Sequence, residues 1–122
     1  MKTIVSLLLM SFFFLNCNTQ EELSSISTNE LKTLLQNDTI QLLDIRTPEE
    51  VKLGSIDKAK FANFFDDDFV QQVSTKFDIK KPIYIYCRSG NRSVKASKLL
   101  KPKGYVVINV LGGYNKWKAE NK

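Results

Sequence analysis

The sequence predicts an α/β domain built on a parallel sheet. Two patterns carry that expectation. Short apolar runs alternate along the chain with helix-start signals, as in parallel-sheet folds. One of those runs, Ile83–Tyr86, delivers a cysteine into a glycine-containing loop just ahead of a helix. Open parallel sheets carry their sites at such strand ends. The chain has 122 residues and is 43% hydrophobic, which suits one domain with a modest core and argues against disorder throughout.

Taken in order, residues 18–26 are polar and read as a tether. Ser27-Thr28-Asn29-Glu30 is a capping-box pattern that starts a helix, with Leu31, Leu34 and Leu35 on one face. Asn37-Asp38 ends it, and Gln41–Ile45 follows as a short buried strand. Thr47-Pro48-Glu49-Glu50 starts a second helix, with Thr as cap, Pro in the first turn and Glu at the third position. Gly54 terminates that short helix. Residues 59–62 form a brief strand. Asp66–Asp68 start a third helix with Phe69, Val70, Val73 and Phe77 inward, broken by Lys80-Lys81-Pro82. Ile83–Tyr86 is a strand, Arg92–Lys101 a helix, and Val106–Val110 another strand. Gly112-Gly113 then turns into a last helix carrying Tyr114 and Trp117.

The first residues read as a targeting segment. Met1-Lys2 gives a positive start, and Ile4 to Leu15 is an apolar run of 12 residues broken by Ser6 and Ser11. That is the size of a signal-peptide hydrophobic region and short of the ~20 residues that span a bilayer. Cys17 directly after it is similar to a bacterial lipoprotein signal, in which the Cys is acylated and becomes the mature N-terminus. Asn16 stands where that pattern has a small residue, and ordinary cleaved secretion and an uncleaved anchor are the other two readings of the segment. The expected layout is a signal peptide at 1–16, a lipidated Cys17 and tether at 17–26, and the folded domain at 27–120. The mature protein is then exported and held on a bacterial membrane by its lipid, in the periplasm or at the cell surface.

Charge is unevenly spread. Gln20 to Asp68 holds 11 acidic and 5 basic residues, whereas Lys76 to Gly104 holds nine basic residues and one acid, Asp78. Lys95, Lys98 and Lys101 read as a solvated helix face. The remaining positive charge surrounds Cys87 and favours anionic substrates. Nucleic acid is not an expected partner, because Tyr84 and Tyr86 alternate with aliphatics in a buried strand and form no stacking platform.

The chain has two Cys and no His. That excludes a Ser-His-Asp triad, a Cys-His dyad and any His-containing zinc site. Two thiolates alone make neither an all-cysteine zinc site nor an iron–sulfur cluster. Around Cys87, the stretch Cys87-Arg88-Ser89-Gly90-Asn91-Arg92-Ser93 supplies another way to activate a nucleophile. Gly90 and Asn91 tolerate unusual backbone angles, so the loop can curl and aim its N–H groups inward as an anion nest. The helix start adds its positive dipole end, and Arg88 and Arg92 add whole charges. Each of these favours thiolate over thiol. The competing reading is an inert buried Cys at a strand end, but packing alone needs no polar, doubly basic loop.

These residues together resemble a single-domain rhodanese, a sulfurtransferase module, over roughly residues 27–120. Leu42-Leu43-Asp44-Ile45-Arg46-Thr47-Pro48-Glu49-Glu50 resembles the family's strand-and-turn segment with its Asp-x-Arg. Gly54-Ser55-Ile56 followed by Ala59 resembles Gly-His-Ile-x-x-Ala, with Ser55 in place of the usual His. Cys87 to Ser93 resembles the active-site loop, and Leu111-Gly112-Gly113-Tyr114 with Trp117 resembles the closing Gly-Gly-x-x-x-Trp. The resemblance implies a three-layer fold with a central, mostly parallel sheet of about five short strands flanked by helices. It implies that Cys87 is catalytic and accepts a sulfane sulfur as a persulfide. It implies that Arg88, Ser89, Gly90, Asn91, Arg92 and Ser93 bind substrate, that Asp44 and Arg46 brace the site, and that no metal or organic cofactor is needed. The implied partners are a small anionic sulfur donor such as thiosulfate and a thiol or other thiophilic acceptor, with the protein acting as a monomer.

Two other functions fit parts of the pattern. A sulfur-carrier or protein-interaction module would keep the fold without useful turnover. A Cys-dependent phosphatase or arsenate reductase would use Cys-x5-Arg, but here position 93 is Ser and Arg92 comes one residue early.

Overall fold

The computed structural model describes residues 23–122. The expected signal segment, Cys17 and the first part of the tether lie outside them. Five strands form one sheet: β1 (Ser25–Ile26), β2 (Gln41–Asp44), β3 (Lys60–Phe61), β4 (Ile83–Tyr86) and β5 (Val107–Val110). Their order is β1-β5-β4-β2-β3, and every pairing is parallel. The helices are α1 (Thr28–Asn37), α2 (Pro48–Lys52), α3 (Phe69–Lys76), α4 (Asn91–Leu100) and α5 (Gly113–Glu120), with a 3-10 turn at Lys101–Lys103 after α4.

The sheet divides the core in two because successive side chains of a strand point to opposite faces. Leu43, Ile83, Ile85 and Val107 meet Phe69 and Val73 of α3 and Ala96 and Leu100 of α4. Leu42, Tyr86 and Val110 meet Leu31 of α1, with Tyr114 and Trp117 of α5 packed against them. Helices therefore cover both faces, which gives the three layers and the parallel sheet that the sequence predicts.

Three local expectations change. Ser25 and Ile26, read as tether, are a strand. Asn109 N–H donates to the Ser24 carbonyl at 2.8 Å and Leu111 N–H to the Ile26 carbonyl at 2.9 Å. A two-residue edge strand has no periodicity to read, and it forms only because β5 offers unpaired backbone. At Ser27 the capping box is half made. The side chain accepts from Glu30 N–H at 3.0 Å, but the Ser27 hydroxyl, not its backbone N–H, donates to the Glu30 carboxylate. The third helix starts at the end of the Asp66–Asp68 run, with Asp68 at its N-cap position, but Asp68 makes no side-chain cap. Asp66 and Asp68 instead accept from the Gln72 amide at 3.0 and 2.7 Å.

Candidate active site

β4 is buried on both faces and ends at Tyr86, so the chain must turn immediately after it, and Cys87 is the first residue of that turn. The turn is closed by Gly90, whose φ of 122° lies in the region that favours glycine. With that angle the Gly90 N–H points back at the Cys87 sulfur, with N to Sγ at 3.0 Å. α4 begins at the next residue, and its N-cap has no side chain to satisfy the first helical amides. These amides and the positive helix end therefore stay available beside the loop.

Ser93 lies on the first turn of α4 and is fully buried. The Cys87 thiol faces its Oγ at 3.7 Å, and the Ser93 hydroxyl donates to the Gly90 carbonyl at 2.8 Å. Ser93 thus ties the sulfur, the glycine and the helix into one small network. Arg88, Ser89 and Asn91 are exposed on the outer rim. Cys87 itself is buried, at 1% exposed.

Arg92 has a partner that the sequence does not point to. It forks onto Glu50 of α2, Nη1 to Oε1 at 2.7 Å and Nη2 to Oε2 at 2.8 Å. The fork uses two of the five guanidinium N–H donors, one from each terminal nitrogen. The paired guanidinium holds the Glu50 carboxyl down at about 2, with hydrogen bonds from Thr47 adding to the effect. In return Glu50, and more weakly the nearby Cys87, raise Arg92 above its ordinary value. The Phe65 ring stands 5.6 Å from the Arg92 guanidinium.

Asp44 and Arg46 are buried one layer below. Arg46 donates to Asp44 from Nε and Nη2, the latter at 2.7 Å, and also from Nη2 to the Gly54 carbonyl at 2.8 Å. The Tyr86 hydroxyl donates to Asp44 at 2.7 Å and accepts from Ile56 N–H. The Arg46 guanidinium lies 4.1 Å from the Tyr114 ring centre. Burial works against the Arg46 charge, but the Asp44 hydrogen bonds and charge prevail, and its pKa is raised. Burial, followed by the charge of Asp44, pushes the Tyr86 phenol far above its usual range. This cluster stitches β2, β4, the turn at Gly54 and α5 together beneath the loop.

Sequence reasoning missed Glu50, Tyr86 and Tyr114 as parts of this assembly. Glu50 already had a complete role in the Thr47 capping box, which the structure contains as well. Nothing in the sequence marks a second role for it 42 residues away. Cys17 lies outside the described residues.

Comparison with known proteins agrees with this geometry. The family model of the rhodanese-like domain matches residues 27–120. Thiosulfate sulfurtransferase 18 of Arabidopsis thaliana is 36% identical over 109 residues, covering 80% of this chain and 79% of that protein. Thiosulfate sulfurtransferase GlpE of Ectopseudomonas mendocina is 28% identical over 99 residues, covering 80% of this chain and 87% of that protein. The crystal structure of a rhodanese-like domain protein from Staphylococcus aureus superposes with a TM-score of 0.71 at 34% identity, covering 78% of this chain and 91% of that one.

Proposed function

The chain belongs to the rhodanese-like domain family, and on that premise we propose that it is a sulfurtransferase working through a Cys87 persulfide. The observation that carries the reading is the Gly90 N–H donating to the Cys87 sulfur inside a loop that opens onto the start of α4. An amide donor at that distance is placed to hold a sulfur that accepts and passes on a second sulfur.

The reaction runs in two displacements. The Cys87 thiolate attacks the outer sulfur of thiosulfate, and the bond between the two donor sulfurs breaks. Its electron pair leaves with sulfite. Cys87 now carries the transferred sulfur as a persulfide anion, which the loop amides hold. An acceptor thiolate then attacks that terminal sulfur and departs as its own persulfide, and the Cys87 thiolate is restored. Covalent storage splits one transfer into two simpler steps. Arg88, exposed at the rim, attracts the anionic donor, while Arg92 and Glu50 hold the loop to α2. A phosphatase or arsenate reductase would use Cys-x5-Arg, and position 93 is Ser, with Arg92 one residue early.

We place the protein at a bacterial membrane, exported and anchored through Cys17, because a Cys directly follows the apolar run of 12 residues. The donor and acceptor would then meet the domain outside the cytoplasm.

The test is mass spectrometry of the full chain after incubation with thiosulfate. A gain of one sulfur on the peptide containing Cys87, released by a thiol and absent in Cys87→Ser, is the expected result. No adduct, with partner binding undiminished in Cys87→Ser, identifies an interaction module instead. Turnover of an aryl phosphate with none of thiosulfate overturns the sulfurtransferase reading.

A further inference from the structure

The Cys87 loop is held from behind by a helix on the other face of the sheet. Tyr114 N–H donates to the Cys87 carbonyl at 2.9 Å, and Asn115 N–H donates to the Arg88 carbonyl at 3.0 Å. These are first-turn amides of α5, which have no acceptor within their own helix. They turn two consecutive loop carbonyls toward α5.

In a planar trans peptide the N–H points opposite to the C=O. With both carbonyls facing α5, the amides of Arg88 and Ser89 face away from it. That is the side of the sulfur, since Cys87 packs with the α3 and α4 cluster whereas α5 packs with the other. Among the described residues neither amide has a protein acceptor. The next amide, Gly90 N–H, already reaches Sγ. Three successive donors therefore share one side of the loop.

The approach of α5 is so close that only glycine fits at its first residue. A Cβ on Gly113 would lie 2.5 Å from the Cys87 carbonyl oxygen and 2.7 Å from that of Arg88. Gly112 has a similar left-handed backbone, φ 80° against 58° at Gly113. A Cβ there would meet Lys116, 2.6 Å from its Cδ and 2.7 Å from its Cβ, so the lysine and its turn of α5 must give, but no atom of the Cys87 loop is touched.

We propose that the amino end of α5 is the positioning element of the loop's anion cradle. By holding the carbonyls of Cys87 and Arg88 it aims the amides of Arg88 and Ser89 to the sulfur side, and Gly113 is the residue that lets it come close enough. The proposal rests on the reading of Cys87 as the nucleophile, but its test does not depend on sulfur transfer.

The full chain is alkylated at Cys87 with iodoacetate and with iodoacetamide, and the modified peptide is quantified. The two reagents differ in the charge that the cradle would hold, so the ratio of their rates reports the cradle and not general access to the thiol. In Gly113→Ala the ratio falls about ten-fold, as expected for losing a hydrogen bond to a charged group. Gly112→Ala carries comparable backbone strain and keeps the wild-type ratio. Asn115→Pro, which deletes one of the two donors in the first helical turn, lowers the ratio, while Asn115→Ala does not. These last two variants decide the matter if Gly113→Ala fails to fold. An unchanged ratio in both Gly113→Ala and Asn115→Pro overturns the proposal, and so does an equal fall in Gly112→Ala. If the ratio falls as expected but thiosulfate leaves no sulfur on Cys87, the cradle stands and the sulfurtransferase reading fails.

Discussion

At Glu50 a single carboxylate closes the Thr47 capping box and forks onto Arg92, and both partners favour its charged form. Its pKa is lowered from 4.5 to about 2, chiefly by the Arg92 hydrogen bonds. The folded state therefore binds the Glu50 proton more weakly than the unfolded chain does. The resulting stabilisation is fully present above pH 4.5 and is lost as the pH falls toward 2. Glu50→Gln should be less stable than wild type at pH 6, and the gap should close between pH 4.5 and 2 in denaturant melts. A gap that stays constant with pH would show that the ion pair contributes nothing. Cys87 and its loop were legible at this scale because their signals lie in seven consecutive residues. The counter-ion of Arg92 was not, because Glu50 and Arg92 are distant in sequence and each is already explained by its neighbours.

Among the elements, the helices and long strands follow their local signals closely. β2 and β4 have apolar runs, and α2 has its Thr47 cap and Pro48. β1 and the start of α3 do not. β1 exists through its pairing with β5, and the acidic run before α3 binds Gln72 instead of capping the helix. α1 shows how little of an amphipathic helix the packing needs. Leu31 is fully buried against Leu42, Tyr86 and Val110, while Leu34 and Leu35 are only partly covered. Leu31→Ala should therefore cost about 3 kcal/mol of unfolding free energy, by lost transfer energy and the cavity left behind. Equilibrium denaturation checks it, and a loss below about 1 kcal/mol would mean that α1 collapses onto the gap.

For the whole molecule, the two cysteines divide between two ends of the chain. Cys87 is a free, buried thiol at the carboxyl edge of the sheet. Cys17 follows the apolar N-terminal run, eight residues before the first strand at Ser25. An acyl chain on Cys17 would thus leave a short tether between the membrane and the edge of the sheet. Labelled fatty acid should enter the wild-type protein and not Cys17→Ala, and the variant should leave the membrane fraction. Undiminished labelling in Cys17→Ala would remove that site. No helix among the described residues is long and apolar enough to cross a membrane.

The sequence by itself determined the fold class, the strand that carries Cys87 and the loop that surrounds it. Each of those depends on neighbours in the chain: alternating apolar runs, a glycine where the backbone must turn, a helix start four residues after the sulfur. Tertiary structure decided what holds that loop. Glu50 binds Arg92, the Asp44, Arg46 and Tyr86 cluster ties the strands beneath, and the amides at 114 and 115 turn two carbonyls away from the sulfur. These partners come from α2, β2 and α5, and they meet only because a parallel sheet brings the carboxyl ends of its strands to one edge. Hydrogen bonds act over about 3 Å, so contacts between residues far apart in the chain leave no spacing in the sequence to be read.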